Sequence, residues 1–203
     1  IDPVLKKGVT VKVAQKIGQM GNSASYRIPL NRSHLHFEIG LRLTDDFQSW
    51  YNTKKFSSLN RHGNYSGFNL VGIDPLPFYA KYRAKAFKAP LDYINSLPKE
   101  AKIRIRTKKI PDFAKRYPEL CSFSSRNKSW NGWECIFGPY GLPLKLQQTD
   151  GCKETDPFIK IISYDIRQHD RQCRRLVERS SGRLVPAEQL KLYIELLFGV
   201  TLG

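Results

Sequence analysis

Apolar and polar residues alternate with a period of two at several places along this chain. Successive side chains of an extended backbone point to opposite faces, so the pattern predicts strands. After Gly8, Val9, Val11 and Val13 alternate with polar residues, and the turn Gly21-Asn22-Ser23 closes the run. From Ser33 to Leu43 the chain reads SHLHFEIGLRL, with Leu35, Phe37, Ile39, Leu41 and Leu43 on one face and His34, His36, Glu38, Gly40 and Arg42 on the other. Thr44 followed by DDFQSWY predicts an N-capped helical turn. A Gly- and Asn-rich loop, RHGNYSG, then leads into the apolar FNLVGI, and the prolines of Asp74-Pro75-Leu76-Pro77 predict a boundary near Tyr79.

The remainder mixes periods. A basic helix is predicted over YAKYRAKAFKA, a strand at KIRIRT, a helix entered at Pro111, a hairpin made of WECIF, the GPYG turn and LPLKL, and a strand at IKIISYDI. Two amphipathic helices separated by Ser181-Gly182 are predicted to end the chain, the last beginning at Pro186. This is an α+β pattern without repeats or low-complexity linkers. It divides into residues 1–79, mainly antiparallel β, and residues 80–203, a smaller appended α+β module of unassigned role.

Composition narrows the class. With 203 residues, 40% apolar and 26% charged, the chain is long enough to bury a core and is neither disordered nor fibrous. No apolar run approaches the roughly 20 residues that cross a bilayer, since the segment around Leu196, Leu197 and Phe198 is broken by Gly199. No basic flank and apolar stretch follows Ile1, so no secretory signal is present in this sequence. The net charge of +16 attracts polyanions, among them nucleic acid, anionic lipid and anionic wall polymers, and equally describes a solvated surface. Residues 1–79 hold 10 basic and 5 acidic groups and residues 80–203 hold 24 and 13, so no basic arm stands out. Without a recognisable nucleic-acid-binding helix or aromatic strand pair, no nucleic-acid partner is expected. Cys121, Cys135, Cys152 and Cys173 contain no CxxC pair; two disulfides of undetermined connectivity and four free thiols both remain open.

On a strand, His34 and His36 project from the same face about 7 Å apart. Neutral imidazole is a common zinc ligand, and a neighbouring imidazole can act on a metal-bound water. The same pair also suits the wet face of a half-exposed sheet. His62 in its loop, and His169 beside Cys173 at helical spacing, are read as surface residues without a metal. Trp130, Trp133 and Tyr140 are read as core and turn residues, because WECIF alternates like a core strand.

The surrounding string goes further. GVTVKVAQKIGQMGNSAS followed by SHLHFEIGL resembles the C-terminal signature of the lysostaphin/LytM zinc metallopeptidases, metallopeptidase family twenty-three, over roughly residues 4–79, with DPLPF at Asp74 to Phe78 resembling the end of such a domain. The resemblance implies an antiparallel β peptidase domain with a duplicated hybrid motif, truncated at its N-terminus, and a zinc-dependent peptidoglycan endopeptidase active in the bacterial cell envelope, periplasmic or secreted. It implies one Zn²⁺ per complete domain, peptide cross-links of peptidoglycan as substrate, and contact with anionic envelope polymers. By resemblance His36 matches the metal ligand and His34 the catalytic histidine, with Glu38 hydrogen-bonding behind them and Asn22 and Ser23 at the mouth of the substrate groove. The family pattern also requires an upstream HxxxD and a further histidine. Neither is found in this sequence, so the chain alone is expected to be inactive. The alternative is a catalytically inactive LytM-like module that binds the wall or regulates another hydrolase.

Overall fold

The computed structural model describes residues 2–6, 8–22, 27–123, 129–169 and 175–202. Contacts divide the chain into two units, Ile1–Phe37 and Glu38–Gly203. Tyr79, near which the prolines predict a boundary, lies inside a helix of the second unit.

The described residues of the first unit form turns instead of the predicted strands. Gln15 N donates to Lys12 O at 3.0 Å and Lys12 N to Gln15 Oε1 at 2.9 Å, closing a turn in which Ala14 has φ 62°. Val9, Val11 and Val13 are exposed. Alternation gives a strand its apolar face, but the backbone N–H and C=O groups still need partner strands, and an isolated pair is marginal in water.

The strand predicted over residues 33–43 is confined to β1 (Ile39–Arg42), in the second unit. It pairs antiparallel with the four residues of β2 (Leu70–Ile73), which sets the length of the ladder. Helix α1 (Phe47–Thr53) follows, with Asp46 and not Thr44 at its N-cap position and no side-chain cap made there. Thr44 Oγ1 instead accepts from Asp46 N at 3.0 Å, and the Asn69 amide bridges Thr44 N and O at 3.0 and 2.8 Å, locking the ends of the two strands. Helix α2 (Pro75–Arg83) begins earlier than the basic run suggests, because Asp74 Oδ1 accepts from Leu76 N at 2.9 Å and Pro75 fits the first helical position. Lys85, at φ 54°, ends that path, and α3 (Pro90–Asn95) follows.

The main sheet is built from β3 (Ala101–Ile105), β4 (Cys121–Ser122), β5 (Gly132–Phe137), β6 (Pro143–Thr149) and β7 (Ile159–Tyr164), in the order β4-β6-β5-β3-β7. Only β4 and β6 pair in parallel. The one-turn helix α4 (Phe113–Arg116) precedes β4. The predicted β5–β6 hairpin forms through Gly138 to Gly141, with Tyr140 at φ 59° and Gly141 at φ 78°.

The C-terminal part corrects the sequence reading. The first of the two predicted helices is a single turn, α5 (Ile166–His169), and Ser181-Gly182 joins β8 (Val177–Ser180) to β9 (Arg183–Pro186) as a hairpin. Pro186 ends β9 and Ala187 stands at the N-cap position of α6 (Glu188–Phe198). Leu190, Ile194, Leu197 and Phe198 of α6 share one core with Ile103, Ile105, Trp133, Cys135, Phe137 and Leu146 of the sheet. Each such apolar side chain contributes about 1.5–3 kcal/mol on burial. The architecture is mixed α+β with mostly antiparallel sheets, and among the described residues no helix is long and apolar enough to cross a membrane.

Candidate functional site

His34 and His36 lie in the first unit, on a segment without ladder pairing, directly after a 3-10 turn at Leu30–Arg32. Both are exposed. Their ring centroids are 4.8 Å apart with a 38° interplanar angle, and the two Nε2 atoms meet at 2.8 Å. The two rings meet although their segment is not a strand, and they lie closer than the roughly 7 Å expected on one.

A second contact orients the His34 ring. His34 Nδ1 lies 2.8 Å from Arg32 O, and a carbonyl can only accept, so Nδ1 carries the hydrogen. Across the Nε2–Nε2 contact one imidazole nitrogen donates and the other accepts. A backbone carbonyl on the far nitrogen is how metal-facing imidazoles are commonly oriented.

The donor set is nonetheless incomplete. A catalytic zinc takes three protein ligands and an open position, and among the described residues no group of three or more His, Cys, Asp and Glu gathers to hold a metal. The residues present do not by themselves make a zinc centre.

The other predicted site residues are dispersed. Asn22 Nδ2 donates to Ile28 O at 2.7 Å. Ser23 lies outside the described residues, as do Asp170 and Cys173. Glu38 is exposed at the start of the second unit. His62 is an exposed residue preceding the 3-10 turn Gly63–Tyr65, and His169 ends α5. Trp133 is fully buried and donates Nε1–H to Lys109 O at 3.0 Å, while Trp130 packs edge-on against it at 5.8 Å. Tyr140 sits exposed in the β5–β6 turn.

Cys121, Cys135 and Cys152 are free thiols, so the two-disulfide alternative does not hold. Cys121 and Cys135 flank Leu146 from the two sides of β6, too far apart to bond. Burial pushes the Cys121 thiol up to about 11 and raises Cys135 further, which keeps both protonated and unreactive.

One charged cluster left no sequence signal. Glu195 is 3% exposed and lies on α6, yet its carboxylate accepts from Trp50 Nε1 of α1 at 2.8 Å and from Leu202 N at 2.9 Å, and pairs with Lys54 Nζ at 2.5 Å. Burial alone would raise its pKa, but the Lys54, Leu202 and Trp50 hydrogen bonds outweigh it and hold the group below the ordinary value. Its partners stand up to 145 positions away in sequence.

Comparison with known proteins gives no match: no family model, no curated protein and no solved structure corresponds to the chain.

Proposed function

We propose that this chain carries the histidine end of a lysostaphin/LytM-type zinc peptidase domain, and that the activity of the complete domain is hydrolysis of peptide cross-links in bacterial peptidoglycan. The observation that carries the reading is the convergence of two exposed imidazoles, with Nε2 atoms 2.8 Å apart and one ring oriented from behind by Arg32 O. Together with the GNS turn and HLHFE string on which the resemblance rests, this supports His36 as a metal ligand and His34 as the residue that handles the proton. In this reading the remaining ligands come from an HxxxD outside these 203 residues. The positive surface favours retention on anionic envelope polymers, and the working compartment is the cell envelope.

The second reading, a LytM-like module that binds or regulates without cutting, is favoured by one observation. Each Nε2 is engaged with the other, and among the described residues no group of three or more His, Cys, Asp and Glu gathers to hold a metal.

Zinc stoichiometry and release of soluble muropeptides from purified peptidoglycan, measured on the full-length natural protein, separate the two. The peptidase reading expects His36→Ala to lose zinc and lysis together. It expects His34→Ala to keep zinc and lose about 10²–10⁴-fold in rate, the usual contribution of a general acid–base. Lysis unchanged in both variants rejects the peptidase, and wall binding without zinc or lysis supports the regulatory module.

A further inference from the structure

Within the second unit, the end of α1, the loop after it and the first turns of α6 enclose a concave site of about 410 Å³. Small-molecule sites usually measure about 300–1,000 Å³. Its apolar wall is aromatic. Phe56 and Phe68 stack with centroids 5.4 Å apart at 21°, and Trp50 lies 6.2 and 6.0 Å from the two. Phe56 is 40% and Phe68 44% exposed, so ring surface faces solvent within a concavity, where covering it is favourable.

The charged groups of the pocket come in opposed pairs. Lys54 Nζ stands 2.5 Å from Glu195 Oε2, and Lys191 Nζ stands 2.6 Å from Glu188 Oε1. Each pair cancels, so the lining carries no net charge. An anion placed on Lys54 would lie against the Glu195 carboxylate, and a cation placed on Glu188 would lie against Lys191. A neutral ligand meets neither repulsion. The ammonium groups each keep donors beyond their ion pair, Glu188 keeps acceptor capacity, and the Gln189 amide adds one acceptor and two donors at the rim. That mixture of donors and acceptors beside flat aromatic surface matches a molecule with an apolar C–H face and a ring of hydroxyls.

We infer that this pocket binds a neutral saccharide of one or two pyranose units, stacked on Phe56 and Phe68 and hydrogen-bonded by Lys54, Glu188 and Gln189. The Glu195 anchor sets Lys54 in place, because the carboxylate is itself held by Trp50 Nε1 and Leu202 N. The pocket is built without His34 or His36, so loss of sugar binding and loss of zinc chemistry are separate results.

Titration of the intact chain with maltotriose and with chitotriose, followed by tryptophan fluorescence and by calorimetry, tests the assignment, since Trp50 is part of the wall. At least one sugar is expected to bind in the millimolar range or tighter. Phe56→Ala and Phe68→Ala are each expected to weaken it at least tenfold, whereas Phe56→Tyr, which keeps a ring, stays within twofold. If an alanine variant fails to show the parent circular dichroism and melt, Gln189→Ala at the half-exposed rim replaces it, with an expected loss of about threefold. Absence of any signal with both sugars at tens of millimolar overturns the inference. So does binding that ignores every one of these substitutions, or uptake of an apolar anionic dye in this pocket with no sugar bound.

Discussion

A carboxylate that is 3% exposed is tolerated only when its partners are fixed, and Glu195 has three: Lys54, Trp50 Nε1 and Leu202 N. Its folded pKa lies below the unfolded value of about 4.3, so its stabilisation is complete above that pH and is lost as the pH falls through the folded value. Glu195→Ala leaves the indole N–H and the Leu202 amide without their acceptor. The expected cost at pH 7 is about 3 kcal/mol, near the low end for a broken buried pair because Lys54 is 31% exposed and reaches water. For a chain of this size that is a fall of about 6–12 °C in Tm. Urea unfolding at pH 7 and at pH 3.5 checks it: the gap between parent and variant should shrink on the acid side. A penalty of a different kind is expected at Gly132, where an added Cβ would stand 2.2 Å from Cys152 Sγ and 2.4 Å from Ile105 O. The carbonyl belongs to the neighbouring strand and cannot rotate away, so Gly132→Ala should cost about 2 kcal/mol or more in the same assay. At this scale the i, i+2 spacing of His34 and His36 is legible in the sequence and brings the rings together even without a strand. The Glu195 network is not, because proximity between α1 and α6 exists only after the core forms.

Turn chemistry decides which elements close. Ser181 and Gly182 form the two-residue connection between β8 and β9, with φ of 48° and 77°. Both central residues at positive φ is the type I′ arrangement, which matches the twist of the flanking strands and favours Asn-Gly over Ser-Gly. Ser181→Asn therefore relieves a left-handed serine and should stabilise by about 0.5–1 kcal/mol, read as a Tm rise of about 1–4 °C. A fall in Tm would show that serine is not strained there. The same pair of residues explains where the sequence misled. Ser-Gly reads as a break between helices when its neighbours are scanned for period 3.6, but as a hairpin when scanned for period two, and residues 177–186 follow the second. The β5–β6 hairpin was legible because strict alternation and a Gly-rich turn agree there. SHLHFE alternates just as strictly, yet stays out of the ladder, since β2 offers only Leu70–Ile73 and ends opposite Ile39.

The two units differ in what holds them. Among the described residues of 1–37 none is buried, and Val9, Val11, Ile17, Met20, Leu35 and Phe37 all face solvent at 45% exposure or more. Among the described residues the buried apolar core lies within 38–203, from Leu43 and Phe47 through the main sheet to Leu197 and Phe198. Local opening free energy follows buried apolar contact and protected hydrogen bonding, so the second unit should open only with global unfolding and the first at almost no cost. Hydrogen exchange makes this measurable. Amides of β3, β5, β6 and α6 should show the slowest exchange, at rates set by global stability, while those of residues 8–22 should exchange at close to unprotected rates. Limited proteolysis should cut first before Glu38 and leave a fragment with unchanged thermal unfolding. If instead residues 8–22 are protected as strongly as β5, the first unit holds structure of its own and His34 and His36 are presented on a rigid support. If they exchange freely, the 2.8 Å approach of the two imidazoles is made without a rigid support from residues 8–22. Under the proposed peptidase reading, zinc bound through His36 should then slow exchange around residues 32–37 in the natural protein, an effect that His36→Ala removes and that His34→Ala and substitutions in the second unit leave in place.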